Sequence, residues 1–252
     1  MLKRRLIPSL LLSAGRLVKG TTYENHRDAG RPDTTARAHD AQGADEMILL
    51  DIEAGRRKSG PDLEAVRLVA AECSMPLTVG GGIDSLDTAR SCMDAGADKL
   101  CVTTTALDTP GLIDQLAHVF GAQAVVLGLD VIRVDGQTAL FDHRNGNTVP
   151  DRPPLDWARE AISRGIGEIR LMAVDREGGR QGMDTALLEP FMAAVNVPII
   201  LEGGAGSLDH LNEALRSGAD AIAVGTMLTF SDNNLVKIKR YLAGKGHDMR
   251  MG

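Results

Sequence analysis

Cysteine is scarce in this 252-residue chain, and the three present, Cys73, Cys92 and Cys101, follow no metal-binding spacing and are odd in number. They read as reduced core residues of a cytosolic protein. The six histidines are scattered, with no ligand pair at helical spacing, so no metal and no cofactor are expected. No apolar run approaches the ~18 residues of a membrane span. Clustered positive charge is missing too: the net charge is −6 and the Lys and Arg are dispersed. A nucleic acid or an anionic membrane surface needs a basic cluster to displace counterions or meet headgroups. Neither is an expected partner, and a small polar or ionic ligand fits better.

What the chain does have is apolar substance, 43 % of its residues, at a length that routinely forms one large core. A single domain over residues 1–252 is expected. Its start, "MLKRR" followed by "LIPSLLLSAGRLVKG" (Leu6 to Gly20), imitates an export signal. The apolar part runs only from Leu6 to Leu12 and contains Pro8 and Ser9, the short limit for such a signal. A buried strand is the stronger reading.

Eight short runs recur along the chain: "RLIPSLLL" (5–12), "EMILLDI" (46–52), "PLTVGGG" (76–82), "KLCVTT" (99–104), "AVVLGLDV" (124–131), "EIRLMAV" (168–174), "PIILEGG" (198–204) and "AIAVGT" (221–226). Between them lie amphipathic segments such as "PDLEAVRLVAAE" (61–72) and "SLDTARSCMDAG", which opens on Ser85 as a helix cap. The runs are continuously apolar, the signature of strands covered on both faces. Eight βα units point to a (β/α)8 barrel, with a doubly wound open sheet as the alternative. An internal repeat favours the barrel. "MPLTVGGGIDSLDTARSCMDAGADKLCVTT" from Met75 aligns without a gap on "VPIILEGGAGSLDHLNEALRSGADAIAVGT" from Val197, an offset of 122 residues. Two homologous half-barrels, about 1–122 and 123–252, would close such a fold.

Each repeat carries a strand that runs into glycines and then a helix: Gly81-Gly82 in one, Gly203-Gly204 in the other. Without Cβ atoms the backbone can approach an anion and aim N–H groups at it, beside a favourable helix dipole. The following strands end in hydroxyls, Thr104 and Gly225-Thr226. The plain alternative is that glycines after strands make tight turns. Two copies at one face of a barrel favour two phosphate cradles and a ligand anionic at both ends.

At the other end, Arg5, Glu46, Lys99 and Glu168 begin their strands and stand at similar offsets from the far strand ends. They are either four solvated strand starts or one paired layer at the barrel floor, since buried charge requires pairing. Asp130 in "GLDVIRVDG" and Asp51 in "ILLD" are strand-end carboxylates. Asp130 is suited to proton transfer, and Asp51 to orienting a ligand or a loop.

"GRLVKG", "NHRDAGRP", "GADEMILLDI", "TVGGGI", "GADKLCVTTTAL", "GLDVIRVDG", "GIGEIRLMAVDREGGRQGMD" and "PIILEGGAGSLDH" follow in order the landmarks of a known family. Over essentially its whole length the chain resembles the cyclase subunit of imidazole glycerol phosphate synthase. The resemblance implies a barrel that accepts ammonia from a glutaminase docked at its N-terminal face and binds a bisphosphorylated ligand at the two glycine turns. It implies that Lys19 lies on a flexible first loop that folds over the ligand, and that Arg5, Glu46, Lys99 and Glu168 form a charged ammonia gate. It further implies two catalytic aspartates, at the ends of strands one and five. Asp130 matches the second, whereas the first falls on Leu11. Setting "SLLL" (9–12) beside "GLDV" (128–131) pairs Leu11 with Asp130 across the half-barrels independently. A leucine neither gives nor takes a proton, and losing such a group typically forfeits about 10²–10⁴ in rate.

Three readings follow. One is an ammonia-accepting synthase subunit diverged toward amidation of a sugar or related acceptor, with a third, amidotransferring protein downstream. The second is an authentic cyclase of histidine biosynthesis. The third is a non-catalytic, phosphate-binding activator of a glutaminase. The aminoaldose–aminoketose isomerase of the same pathway also depends on a strand-one aspartate and gains nothing from Leu11.

Overall fold

The computed structural model describes residues 3–21 and 24–251. Its strands, in chain order, are β1 (Arg5–Ser13), β2 (Arg16–Thr21), β3 (Glu24–Gly30), β4 (Met47–Asp51), β5 (Leu77–Gly80), β6 (Lys99–Val102), β7 (Val125–Val134), β8 (Gln137–Asp142), β9 (Asn147–Val149), β10 (Glu168–Ala173), β11 (Ile199–Glu202) and β12 (Ala221–Val224). Eight of them pair in parallel in the order β1-β4-β5-β6-β7-β10-β11-β12, and β12 returns to β1. The sheet is a closed (β/α)8 barrel with helices between its strands. All eight expected runs are barrel strands, and "RLIPSLLL" is the central one that closes the sheet.

Alternation along each strand divides the apolar residues between two compartments. On β1, Leu6, Leu10 and Leu12 face the helices and join the large outer cluster, while Ile7 points inward to Ile48, Ile200, Ala221 and Ala223. Continuous apolar runs are therefore needed for both faces to be dry. The helices begin where short polar side chains take up orphan backbone donors. Ser85 accepts from Thr88 N, Ser207 from His210 N, Asp62 from Glu64 N and Ala65 N, and Asp184 from Leu187 N.

Two features go beyond the sequence expectation. Strands β1 and β7 overrun the barrel rim, at nine and ten residues, and fold back as antiparallel hairpins with β2 and β8. Both turns are two residues long with positive φ at each, Ala14-Gly15 and Asp135-Gly136, the geometry that suits the strand twist in tight hairpins. Among the described residues no helix is long and apolar enough to cross a membrane. The cysteines are all free; Cys92 and Cys101 are buried and Cys73 is half-buried.

Candidate active site

At the floor of the barrel the four charged strand starts form one closed ring. Arg5 Nη1 reaches Glu46 Oε1 at 2.6 Å and Arg5 Nη2 reaches Glu168 Oε1 at 2.5 Å. Lys99 Nζ donates to Glu46 Oε2 and Glu168 Oε2, both at 2.9 Å. Each cation bridges both anions and each anion both cations, so no charge in the ring is left uncompensated. Burial alone would push Glu46 up, but Arg5 and Lys99 hold its carboxyl below its ordinary pKa; burial would likewise lower Lys99, and the two glutamates raise it. Above the ring lies the apolar layer of Ile7, Ile48 and Ile200.

At the opposite rim, each glycine turn packs tightly against a neighbouring loop. Gly81 has φ +102° and a Cβ there would run into the Asp51 carbonyl; Gly204 has φ +86° and a Cβ would strike the Gly182 carbonyl. Neighbouring loops thus demand these glycines whether or not an anion binds. The strands stop earlier than expected: β6 ends at Val102 and β12 at Val224, so Thr104 and Thr226 each open a short helix. The Thr226 hydroxyl is buried with no hydrogen-bond partner among the described residues. It lines a cavity shared with Glu177, Glu202, Gly203, Gly204 and Gly225.

Lys19 sits in strand β2 rather than in a loop. Its ammonium is buried against the Glu177 carboxylate, which comes from the "DREGGRQG" segment after β10. A Cβ on Gly225 would lie 2.8 Å from Lys19 Nζ and 3.0 Å from Ser9 O, so the bare glycine leaves the ammonium its place. Gly225→Ala is expected to weaken binding of inorganic phosphate about tenfold, the scale of one charged hydrogen bond, and to lower the melting temperature, because the displaced ammonium is buried against Glu177. Calorimetric titration beside a thermal melt checks this.

Asp130 ends the interior face of β7. Arg170 Nη1 lies 3.2 Å from its Oδ1, and His143 Nε2, from the turn after β8, lies 3.0 Å from its Oδ2. Burial would push this carboxyl up, yet the His143 and Arg170 contacts outweigh it and hold its pKa below the ordinary 3.8. Asp130 is therefore a carboxylate that accepts hydrogen bonds and protons and has none to donate. Arg170 also donates from Nε to Glu202 Oε2 at 2.5 Å. Across the barrel Leu11 is buried, paired in register with Leu50 and with Val18 of β2. Leu11 is matched to Leu50 as Asp130 is to Met172, and Leu50 and Met172 stand at the repeat offset of 122.

Asp51 does not face the ligand space. It accepts from the backbone N–H groups of Glu53, Ala54 and Asp62 and from Arg57 Nη2 at 2.6 Å, which makes it the organiser of the loop after β4. A cavity of about 610 Å³ lies between the β8–β9 hairpin and the helix Thr185–Ala194 and is lined by none of these groups. Four side chains at the rim escaped sequence reasoning: His143, Arg170, Glu177 and Glu202. Arg170 and Glu202 did leave a signal: Arg170 is a charge inside "EIRLMAV", beyond the Glu168 that opens it, and Glu202 is the charge of the otherwise apolar "IILE".

Comparison with known proteins places these features in context. A family model described as histidine biosynthesis protein matches residues 5–233. The imidazole glycerol phosphate synthase subunit HisF of Exiguobacterium sibiricum is 39% identical over 250 residues, spanning 99% of this chain and all of that protein. The subunits of the same name from Cytophaga hutchinsonii and Anoxybacillus flavithermus are 39% and 38% identical over 252 residues, again 99% of this chain and the whole of each relative.

Proposed function

The chain belongs to the histidine biosynthesis protein family, and from that membership we propose that it is a cyclase-type enzyme subunit of a glutamine amidotransferase, receiving ammonia from a glutaminase. The relatives bear the name of the imidazole glycerol phosphate synthase subunit HisF. The observation that carries the proposal is the closed floor ring of Arg5, Glu46, Lys99 and Glu168. A ring of four reciprocal ion pairs around the barrel axis can admit a small neutral molecule by parting one bridge, while the apolar layer above it disfavours ions. The glutaminase docks at the N-terminal face, beneath the ring, and a phosphorylated ligand occupies the opposite mouth at Gly81-Gly82, Thr104, Gly203-Gly204 and Gly225-Thr226.

Leu11 supports a chemistry diverged from the histidine-pathway cyclisation, toward amidation of a sugar or related acceptor, with a third protein completing the transfer. The mouth offers Asp130 as an ionised carboxylate and an apolar wall where an acid would stand across from it. The test mixes the chain with its glutaminase. Glutamine hydrolysis should rise severalfold while the histidine-pathway intermediate is not turned over; failure to form any complex with a glutaminase would sink the reading. The full-length identity to HisF proteins favours authentic cyclase activity as a second reading. Rescue of a histidine auxotroph lacking its own cyclase subunit would decide for it.

A further inference from the structure

We propose that Glu202 is a specificity-determining residue of the mouth: with Asp130 it forms an acceptor wall that selects a phosphorylated ligand whose carbon skeleton carries hydroxyl or amino donors. The proposal rests on the reading of the glycine turns as phosphate cradles and adds what lies between them.

The position comes first. Barrel interiors fill in layers contributed by alternate strands, and Leu11, Asp130 and Glu202 stand at the mouth ends of three alternate strands, β1, β7 and β11. The layer that lacks an acid on β1 carries one on β11 instead. Glu202 directly precedes Gly203-Gly204 and lines the same cavity as Thr226, a residue nine-tenths buried whose hydroxyl has no partner among the described residues. A ligand entering the second cradle meets both side chains.

Charge comes second. Three carboxylates beside a phosphate site would repel the anion if left bare. Here Arg170 bridges Asp130 and Glu202, His143 adds a second contact to Asp130, and Lys19 neutralises Glu177. Glu202 engages Arg170 through Oε2, and a carboxylate has about four acceptor sites, so capacity remains for donors on a ligand. Arg170 is 1 % exposed. A guanidinium buried between two carboxylates gives no more stability than a well-packed apolar set of equal volume. That cost is understandable if the acceptors it holds in place are used. Leu11, Leu50 and Val18 offer no hydrogen-bonding side chain on the opposite wall, so the acceptors for a ligand's donors gather on the side of Asp130 and Glu202.

The test is calorimetric titration of the full chain and its Glu202→Gln and Glu202→Asp variants with two probes, ribose 5-phosphate and butyl phosphate, which shares the phosphate but lacks hydroxyls. The wild type should prefer ribose 5-phosphate. Glu202→Gln should weaken that probe about tenfold and leave butyl phosphate within about twofold, and Glu202→Asp should recover part of the loss. Equal changes for both probes, no change for either, or no wild-type preference would overturn the proposal. If the glutamine variant does not fold, as a thermal melt would reveal, the aspartate variant carries the comparison: ribose 5-phosphate must weaken more than butyl phosphate. A wild type that binds neither probe would overturn the cradle reading and this proposal with it. Glutaminase stimulation, measured separately, stands or falls by itself.

Discussion

Replacement of Arg170 by methionine is expected to destabilise the barrel by about 4 kcal/mol at neutral pH, the cost of stranding buried charges after one partner is removed. Asp130 and Glu202, 6 % and 2 % exposed, would face each other's charge with only His143 beside Asp130. The pH dependence has a definite sign. In the wild type Asp130 has a lowered pKa and so adds stability above its ordinary 3.8, lost as pH falls through the folded value. Without Arg170 the charge and the hydrogen bond with which it lowers the folded pKa of Asp130 are gone, so that pKa rises from its lowered position and the stabilisation it carries shrinks. The gap between wild type and variant should therefore narrow as pH falls below about 4, read from denaturant midpoints at several pH values. A gap that widens on acidification would contradict this account. A triple variant, Asp130→Leu, Arg170→Met, Glu202→Met, should recover most of the loss, because an apolar set of similar volume replaces the whole network at little cost. Such recovery would show that the network is kept for what it does at the mouth.

Glu46→Gln is expected to cost about 3 kcal/mol, somewhat less because Arg5 and Lys99 retain partial exposure of 20 % and 19 % and so some access to water. For a chain of this size that corresponds to a fall in melting temperature of roughly 10 °C. Removing the one charge leaves Arg5 and Lys99 sharing Glu168 alone, two cations against one anion. The folded Glu46 pKa is depressed, so the wild type holds this contribution above about pH 4.5 and loses it below, whereas the glutamine variant has nothing to lose there. The two melting curves should converge as pH falls through that range. A change under about 1 kcal/mol at pH 7 would mean the four residues behave as ordinary solvated strand starts.

Both networks bear on how far this protein could be read from its letters. The eight barrel strands were legible because a strand buried on both faces is apolar at most positions, which leaves near-continuous runs that local composition cannot hide. The four floor charges were legible because each opens such a run, and Asp130 and Leu11 because each stands third in its strand-end segment, "GLDV" (128–131) and "SLLL" (9–12). The hairpins of β2 and β8 were not. Their strands are partly exposed and mixed in polarity, and only the turn residues Ala14-Gly15 and Asp135-Gly136 mark them. Asp51 resembled Asp130 as a strand-end carboxylate, yet its neighbours in the following loop take up its oxygens, a fate written in the path of residues 53–62 rather than in Asp51.

The sequence by itself determined that the chain is a barrel of eight βα units with glycine turns at one rim and paired charge available at the other, since periodicity and spacing are local properties. Only the tertiary structure decided which charges meet. Arg5 and Glu168 are 163 positions apart in a chain of 252, and Arg170 finds Asp130 and Glu202 forty and thirty-two residues away. Closing the sheet sets alternate strands into common layers, and electrostatics then selects, among side chains no local pattern relates, the pairs that burial forces together.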